Sequence, residues 1–138
     1  MMKAYLGIKF HPDNRNRDMI DLISQVLGSC GFETVCIRRD IEKWGDVHLS
    51  PDELMAKTFE VICSCQLTVI DLTEKGVGLG IEAGYAYAQR IPVITIAREG
   101  SDISSTLQGI SRDVYLYRNA GDLSRFFSRL RVAGDRTT

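Results

Sequence analysis

The sequence lacks most of the features that would assign a chain to a class at a glance. Lysine and arginine total 17 against 18 aspartates and glutamates, so there is no surplus of positive charge to hold a nucleic-acid backbone. No apolar run approaches the roughly 18 residues that a bilayer crossing needs, and no secretory leader pattern is present. These absences predict a soluble, cytoplasmic protein with neither nucleic-acid nor membrane partners. The four cysteines, Cys30, Cys36, Cys63 and Cys65, fall inside apolar stretches. Cys63 and Cys65 have no second ligand pair at zinc spacing, and His11 and His48 are far away in sequence. Buried reduced thiols are therefore expected, with no metal site and no cofactor. The phosphate-loop consensus is missing because no GK[ST] occurs, and the glycine cluster GVGLG does not match the dinucleotide fingerprint.

What is present is organised around residues 68–96, TVIDLTEKGVGLGIEAGYAYAQRIPVITI. An apolar run at 67–70 ends at Asp71. A loop spaced by Gly76, Gly78 and Gly80 follows, then a small-residue helical pattern at 82–89, then a second buried strand at 93–97 behind Pro92. This is the pattern of a βαβ unit. Its loop is expected to bring bare backbone N–H groups to a helix N-terminus, where an anion is favoured. The three glycines would let the backbone approach a ligand, or would only allow tight strand-to-helix packing. Glu82 is expected in the first helical turn, its ionised form stabilised there by ~0.3–1 kcal/mol. The small neighbours Ala83, Gly84, Ala86 and Ala88 would let the helix sit close on the sheet and hold Glu82 rigidly.

Further strands read at 4–10 (AYLGIKF), 32–37 and 114–117. Met19, Ile23, Val26, Leu27 and Cys30 recur at helical spacing, and Gly31 supplies a stop. Ser50, Pro51 and Glu53 form a helix start with a capping box. Leu54, Thr58, Val61, Ile62 and Cys65 trace its buried face. Residues 38–49 are charged and aperiodic and read as a long, functional loop. A short helical turn surrounds Leu107, and Leu123, Phe126, Phe127 and Leu130 mark a closing helix. Strands alternating with helices predict one doubly wound α/β domain at 1–132, with a flexible tail at 133–138. Its five-stranded parallel sheet takes the flavodoxin-like order 2-1-3-4-5. Ligands bind such sheets at the carboxyl ends of the strands, beside the switch between strands 1 and 3. Tyr5, Gly7 and Lys9 converge there with the glycine loop. A basic cluster of Lys9, His11, Arg15 and Arg17 facing that loop would suit a phosphate. Asp71 could bond a sugar hydroxyl or cap the next turn.

With these residues in view, the chain resembles the nucleoside 2-deoxyribosyltransferase family, including its branch of 2'-deoxynucleoside 5'-monophosphate N-glycosidases. Residues 77–86, VGLGIEAGYA, are similar to the family's G-x-G-x-E-x-G-x-A signature. The strand behind Pro92 and the opening Tyr5, Leu6 and Gly7 also fit. The resemblance implies that Glu82 is the nucleophile, attacking C1' of a (deoxy)ribose, expelling the base and leaving a glycosyl-enzyme ester. Water or a second base would resolve that ester with retention. It also implies a homodimer in which a serine before a short helix, best matched by Ser104 with Ser105 next, reaches a neighbouring subunit's site. Two positions depart from the pattern. Thr58 stands where relatives often carry an aspartate that assists the leaving base, although Asp52, Glu53 and Glu60 are near in sequence. Gly76 stands where relatives carry a polar residue. The basic loop favours a nucleoside monophosphate over a free nucleoside, with Lys9 and the glycine loop on its phosphate.

Other readings come from different classes. The Asp71 strand ending and the Glu-bearing helix also look like those of TIR-like domains, which implies a nucleotide sensor or an NAD glycohydrolase. An interaction domain without a small ligand would use Trp44, in the charged 38–49 segment, as its contact residue.

Overall fold

The computed structural model describes residues 1–130; the tail expected at 133–138 lies outside them. Five strands, β1 (Met2–Ile8), β2 (Phe32–Val35), β3 (Leu67–Asp71), β4 (Val93–Arg98) and β5 (Asp113–Tyr117), form one sheet in the order 2-1-3-4-5. Every pairing is parallel, with Tyr5 beside Thr68 and Ile70 beside Thr95. Five helices connect and flank them: α1 (Arg17–Ser29), α2 (Pro51–Cys63), α3 (Val77–Ala88), α4 (Ser105–Ile110) and α5 (Ala120–Ser128). The expected doubly wound architecture is what the chain adopts.

Strand β3 is buried along its whole length and β4 over all but its last residue, as their continuous apolar runs require for a central position covered on both faces. One face packs Ile20, Ile23 and Leu27 of α1 and Leu123 and Phe127 of α5 against Leu6, Val69 and Ile96. The other packs Ile62 of α2, Leu79, Ala83 and Ala86 of α3 and Leu107 of α4 against Tyr5 and Ile70. The α2 start has the predicted capping box, with Ser50 and Glu53 bonded reciprocally. Of the cysteines, Cys36 and Cys65 are buried, Cys30 is half-buried, and Cys63 is exposed beside the Tyr85 hydroxyl, so the expectation of four buried thiols holds for two.

Two segments differ from the sequence reading. Residues 76–80 are not a loop: Gly76 is the extended residue before α3, and the helix already includes Gly78 and Gly80. With Gly84, α3 carries three glycines, each costing about 1 kcal/mol in a helix interior, which burial of Leu79, Ala83 and Ala86 offsets. Residues 38–49 are irregular only in part. Ile37–Ile41 forms a π turn and Lys43–Gly45 a 3₁₀ turn, with three consecutive left-handed residues, Lys43 (φ 50°), Trp44 (φ 61°) and Gly45 (φ 106°). Polar side chains hold this segment where a hydrophobic stripe would hold an ordinary helix. Arg38 Nε donates to Asn14 Oδ1 at 2.8 Å, Asn14 Nδ2 donates to the Trp44 carbonyl at 3.0 Å, and Asp40 accepts from the Cys36 N–H at 2.8 Å. Trp44 is itself half-buried beneath the Arg17 guanidinium, 4.5 Å from the ring centre, so it is not the free contact residue of the interaction-domain reading.

Candidate active site

Five strands ending on one edge leave a hollow where β1 and β3 diverge toward different helices. A cavity of about 260 Å³ opens there, walled by the end of β1, the start of α2, the π turn and α3. That is just below the usual range of about 300–1,000 Å³ for ligand pockets. Tyr5, Lys9, His11, Thr58, Gly78 and Glu82 line it.

Glu82 is the sixth residue of α3, one turn deeper than expected, so the first-turn dipole argument does not apply to it. It points back across the sheet to β1, where the Tyr5 hydroxyl donates a short hydrogen bond to its Oε1. Burial pushes the Glu82 carboxyl up to about 7, against a smaller downward pull from that hydrogen bond. Burial, and then the Glu82 charge, raise the Tyr5 phenol well above its ordinary value, so it remains a donor. The result is a carboxylate at the cavity wall with Oε1 held by Tyr5 and Oε2 set beside Gly78.

The glycines make room for this side chain. A Cβ at Gly7 would lie 2.8 Å from Ile70 Cδ1 and 3.1 Å from Glu82 Oε1, and one at Gly78 would lie 3.4 Å from Glu82 Oε2. A Cβ at Gly76 would meet the Lys9 stem at 3.3 Å, so Gly76 seats Lys9 against the helix start. Gly80 and Gly84 face open space on the outer side of α3. Gly80 therefore neither approaches the cavity nor packs on the sheet, and only Ala83 and Ala86 supply the close seat first assigned to all four small residues.

Asp71 is placed on the other face, buried beneath Tyr117. It accepts from the Tyr117 hydroxyl at 2.8 Å and from the Thr73 N–H at 2.9 Å, which is the turn-capping alternative. The basic cluster is not assembled. Arg15 pairs with Asp13 and Arg17 covers Trp44, while His11 bonds Glu74 at 3.0 Å, leaving Lys9 as the amine at the cavity. The Thr58 hydroxyl is committed to the Leu54 carbonyl at 2.8 Å. Asp52 and Glu53 serve the α2 cap and Glu60 pairs with Lys57, so none of these three acids stands in for an aspartate at the Thr58 position. Ser104 precedes α4 and is not part of the cavity wall of its own chain. Sequence reasoning missed Arg38 and Glu42, which also line the cavity; their i,i+4 spacing was the available signal, hidden by the irregular backbone.

No family model and no curated protein matches the sequence. Among solved structures, the chain is similar to a 2-deoxyribosyltransferase of Bacillus psychrosaccharolyticus, with a TM-score of 0.71 at 17% identity over 88% of this chain and 90% of that one. It is also similar to a CMP N-glycosidase of Clostridium botulinum, with a TM-score of 0.62 at 20% identity over 90% and 97% of the two chains. A response regulator of Thermotoga maritima reaches 0.59 at 14% identity over 91% and 96%. At these identities the likeness is one of architecture: the chain has the flavodoxin-like α/β fold that the transferase, the glycosidase and the regulator share.

Proposed function

We propose that the protein cleaves the base–sugar bond of a (deoxy)nucleoside 5'-monophosphate, or transfers the deoxyribosyl group, through Glu82. The supporting observation is the Glu82 carboxylate itself, braced by Tyr5, set against Gly7 and Gly78, and lining the hollow at the sheet edge. The two similar enzymes, whose names state deoxyribosyl transfer and CMP N-glycoside cleavage, support the same chemistry. In the reaction a Glu82 oxygen bonds to C1', the C1'–N bond breaks, and the base departs with the electron pair and takes up a proton. Water then attacks C1' of the ester, returning the carboxylate and releasing the sugar phosphate with net retention. A second base attacking instead would complete a transfer.

Lys9, seated over Gly76 at the start of α3, is the cation for a 5'-phosphate. The loop after β3 meets the loop before α4 through Lys75 and Asp102, 2.7 Å apart. Ser104 thus belongs to the same edge of the molecule, where Ser104 of the partner subunit would reach the phosphate in a homodimer. The outer face of α3 supports that assembly, because it exposes Val77, Gly80, Ile81, Gly84 and Tyr87 without a charge. An apolar face of this kind marks an interaction surface. The test is incubation with a panel of nucleosides and their 5'-monophosphates, reading free base and melting temperature together. Base release from monophosphates ahead of nucleosides supports the proposal. A thermal shift without base points to a sensor, and nicotinamide release from NAD to a glycohydrolase of another substrate.

A further inference from the structure

We infer that Arg38 and Glu42 read the edge of the base and select one that carries an exocyclic amino group, such as cytosine or adenine, over its oxo counterpart. This rests on the base-cleavage reading of the Glu82 cavity and concerns the opposite wall of that cavity. The pair stands one turn apart on the π segment, with side chains only 15% and 17% exposed, and both residues face the hollow among Phe10, Ile37, Leu54 and Met55. A charge pair amid apolar walls is costly to bury unless its hydrogen-bonding capacity is used.

Arg38 is already fixed. Its Nε donates to Asn14 Oδ1 at 2.8 Å, its Nη2 reaches the Pro12 carbonyl at 3.3 Å, and its guanidinium lies 4.8 Å from the centre of the Phe10 ring. Its Nη1 stands 3.6 Å from Glu42 Oε1, beyond a good hydrogen bond. Among the described residues, no other side chain or backbone group bonds the Glu42 carboxylate. The two groups thus present a donor and an acceptor side by side, each with capacity left over, on a segment bonded to Pro12 and Asn14.

A guanidinium only donates and an ionised carboxylate only accepts. For a base whose 4-substituent (6-substituent in a purine) lies at Glu42, the complement is therefore an amino group for Glu42 beside an unprotonated ring nitrogen for Arg38. Cytosine and adenine provide this with the amino group beside a ring nitrogen. Uracil and hypoxanthine in that pose put a carbonyl against the carboxylate and a ring N–H against the guanidinium, so both contacts turn repulsive; their own N–H and carbonyl meet the pair only after a shift of one ring position, away from the pose that C1' at Glu82 sets. A site built to bond one group rejects the analogue that leaves its buried partner unpaired.

The experiment compares base release from cytidine and uridine 5'-monophosphates, and from adenosine and inosine 5'-monophosphates, in ribo and deoxy forms. The parent protein and Glu42→Gln are run side by side, with folding of both checked by melting temperature. The parent is expected to favour at least one amino member over its oxo partner by about tenfold or more in kcat/KM. Glu42→Gln, whose amide both donates and accepts, is expected to bring that ratio within about threefold. Equal rates for both members of each pair, or a ratio unchanged in Glu42→Gln, overturn the inference while leaving base cleavage standing. Where no nucleotide yields base, the cleavage reading falls, and thermal shifts with free cytosine and uracil decide the pair separately. A cytosine-specific shift lost in Glu42→Gln supports it, and equal shifts overturn it.

Discussion

The hydroxyl of Tyr5 on β1 donates to Oε1 of Glu82 on α3, joining two residues 77 positions apart. Strand β1 and helix α3 share no local sequence signal, so this bond exists only because β1 lies beside β3 and α3 folds back over both. It fixes one carboxylate oxygen at the wall of the cavity.

Tyr5→Phe removes that donor from the charged form of Glu82. Because the hydrogen bond holds the Glu82 value down against burial, its loss moves the value upward from about 7. The alkaline-rising limb of kcat/KM for base release is expected to shift to higher pH, with most of the rate regained there. A pH–rate profile of the variant checks this, and an unshifted limb removes Tyr5 from the account.

Stability carries the same information independently of turnover. The Glu82 carboxyl rises from 4.5 to about 7 on folding, so between those values the folded state binds more protons than the unfolded chain. Stability from this group is full below about pH 4.5 and is lost as pH rises through 7. At pH 8 the ionised carboxylate is expected to cost on the order of 3 kcal/mol. Glu82→Gln should therefore be more stable than the parent by about that amount at pH 8 and nearly equal at pH 4. Urea unfolding at the two pH values measures the difference, in which the other carboxylates cancel.

Gly7→Ala puts a methyl group 2.8 Å from Ile70 Cδ1 and 3.1 Å from Glu82 Oε1. Overpacking of this kind costs about 1–3 kcal/mol, and the carboxylate must move to admit it. Lower thermal stability together with a loss of kcat is expected. Gly80→Ala meets nothing within contact distance and should stabilise α3 by about 0.5–1 kcal/mol in an isolated subunit.

Ile81→Glu places a charge in the middle of the outer α3 face, where Ile81 is 46% exposed. If Ser104 of the partner subunit completes the site, the variant is expected to sediment as a monomer, keep its circular dichroism and raise KM for a monophosphate. A variant that stays dimeric, or a monomer with unchanged KM, rejects that part of the proposal.

The sheet was legible because it is written in periodicity: two continuous apolar runs for β3 and β4, a helical stripe for α1, and the Ser50 capping box for α2. Glu82 was legible from its motif, but its setting was not. Glycines in a row read as a loop, whereas Gly78 and Gly80 are carried inside α3 by the burial of Leu79 and Ala83. Asp71 sits on the opposite face because strand residues alternate, and Ile70 already occupies the Glu82 side. The π segment escaped notice because its order comes from Arg38 bonding Asn14, Asn14 bonding the Trp44 carbonyl and Arg39 bonding Ser24 across the chain. Such long-range polar contacts have no period, and Arg38 and Glu42 were hidden with them.

The most direct test is the rate of base release by Glu82→Ala from the best 5'-monophosphate, at pH 8 where the parent carboxylate is ionised. The variant's fold is verified by its melting temperature. A fall of about 10³-fold or more is predicted. Release at the parent rate would mean that this carboxylate forms no bond to the sugar.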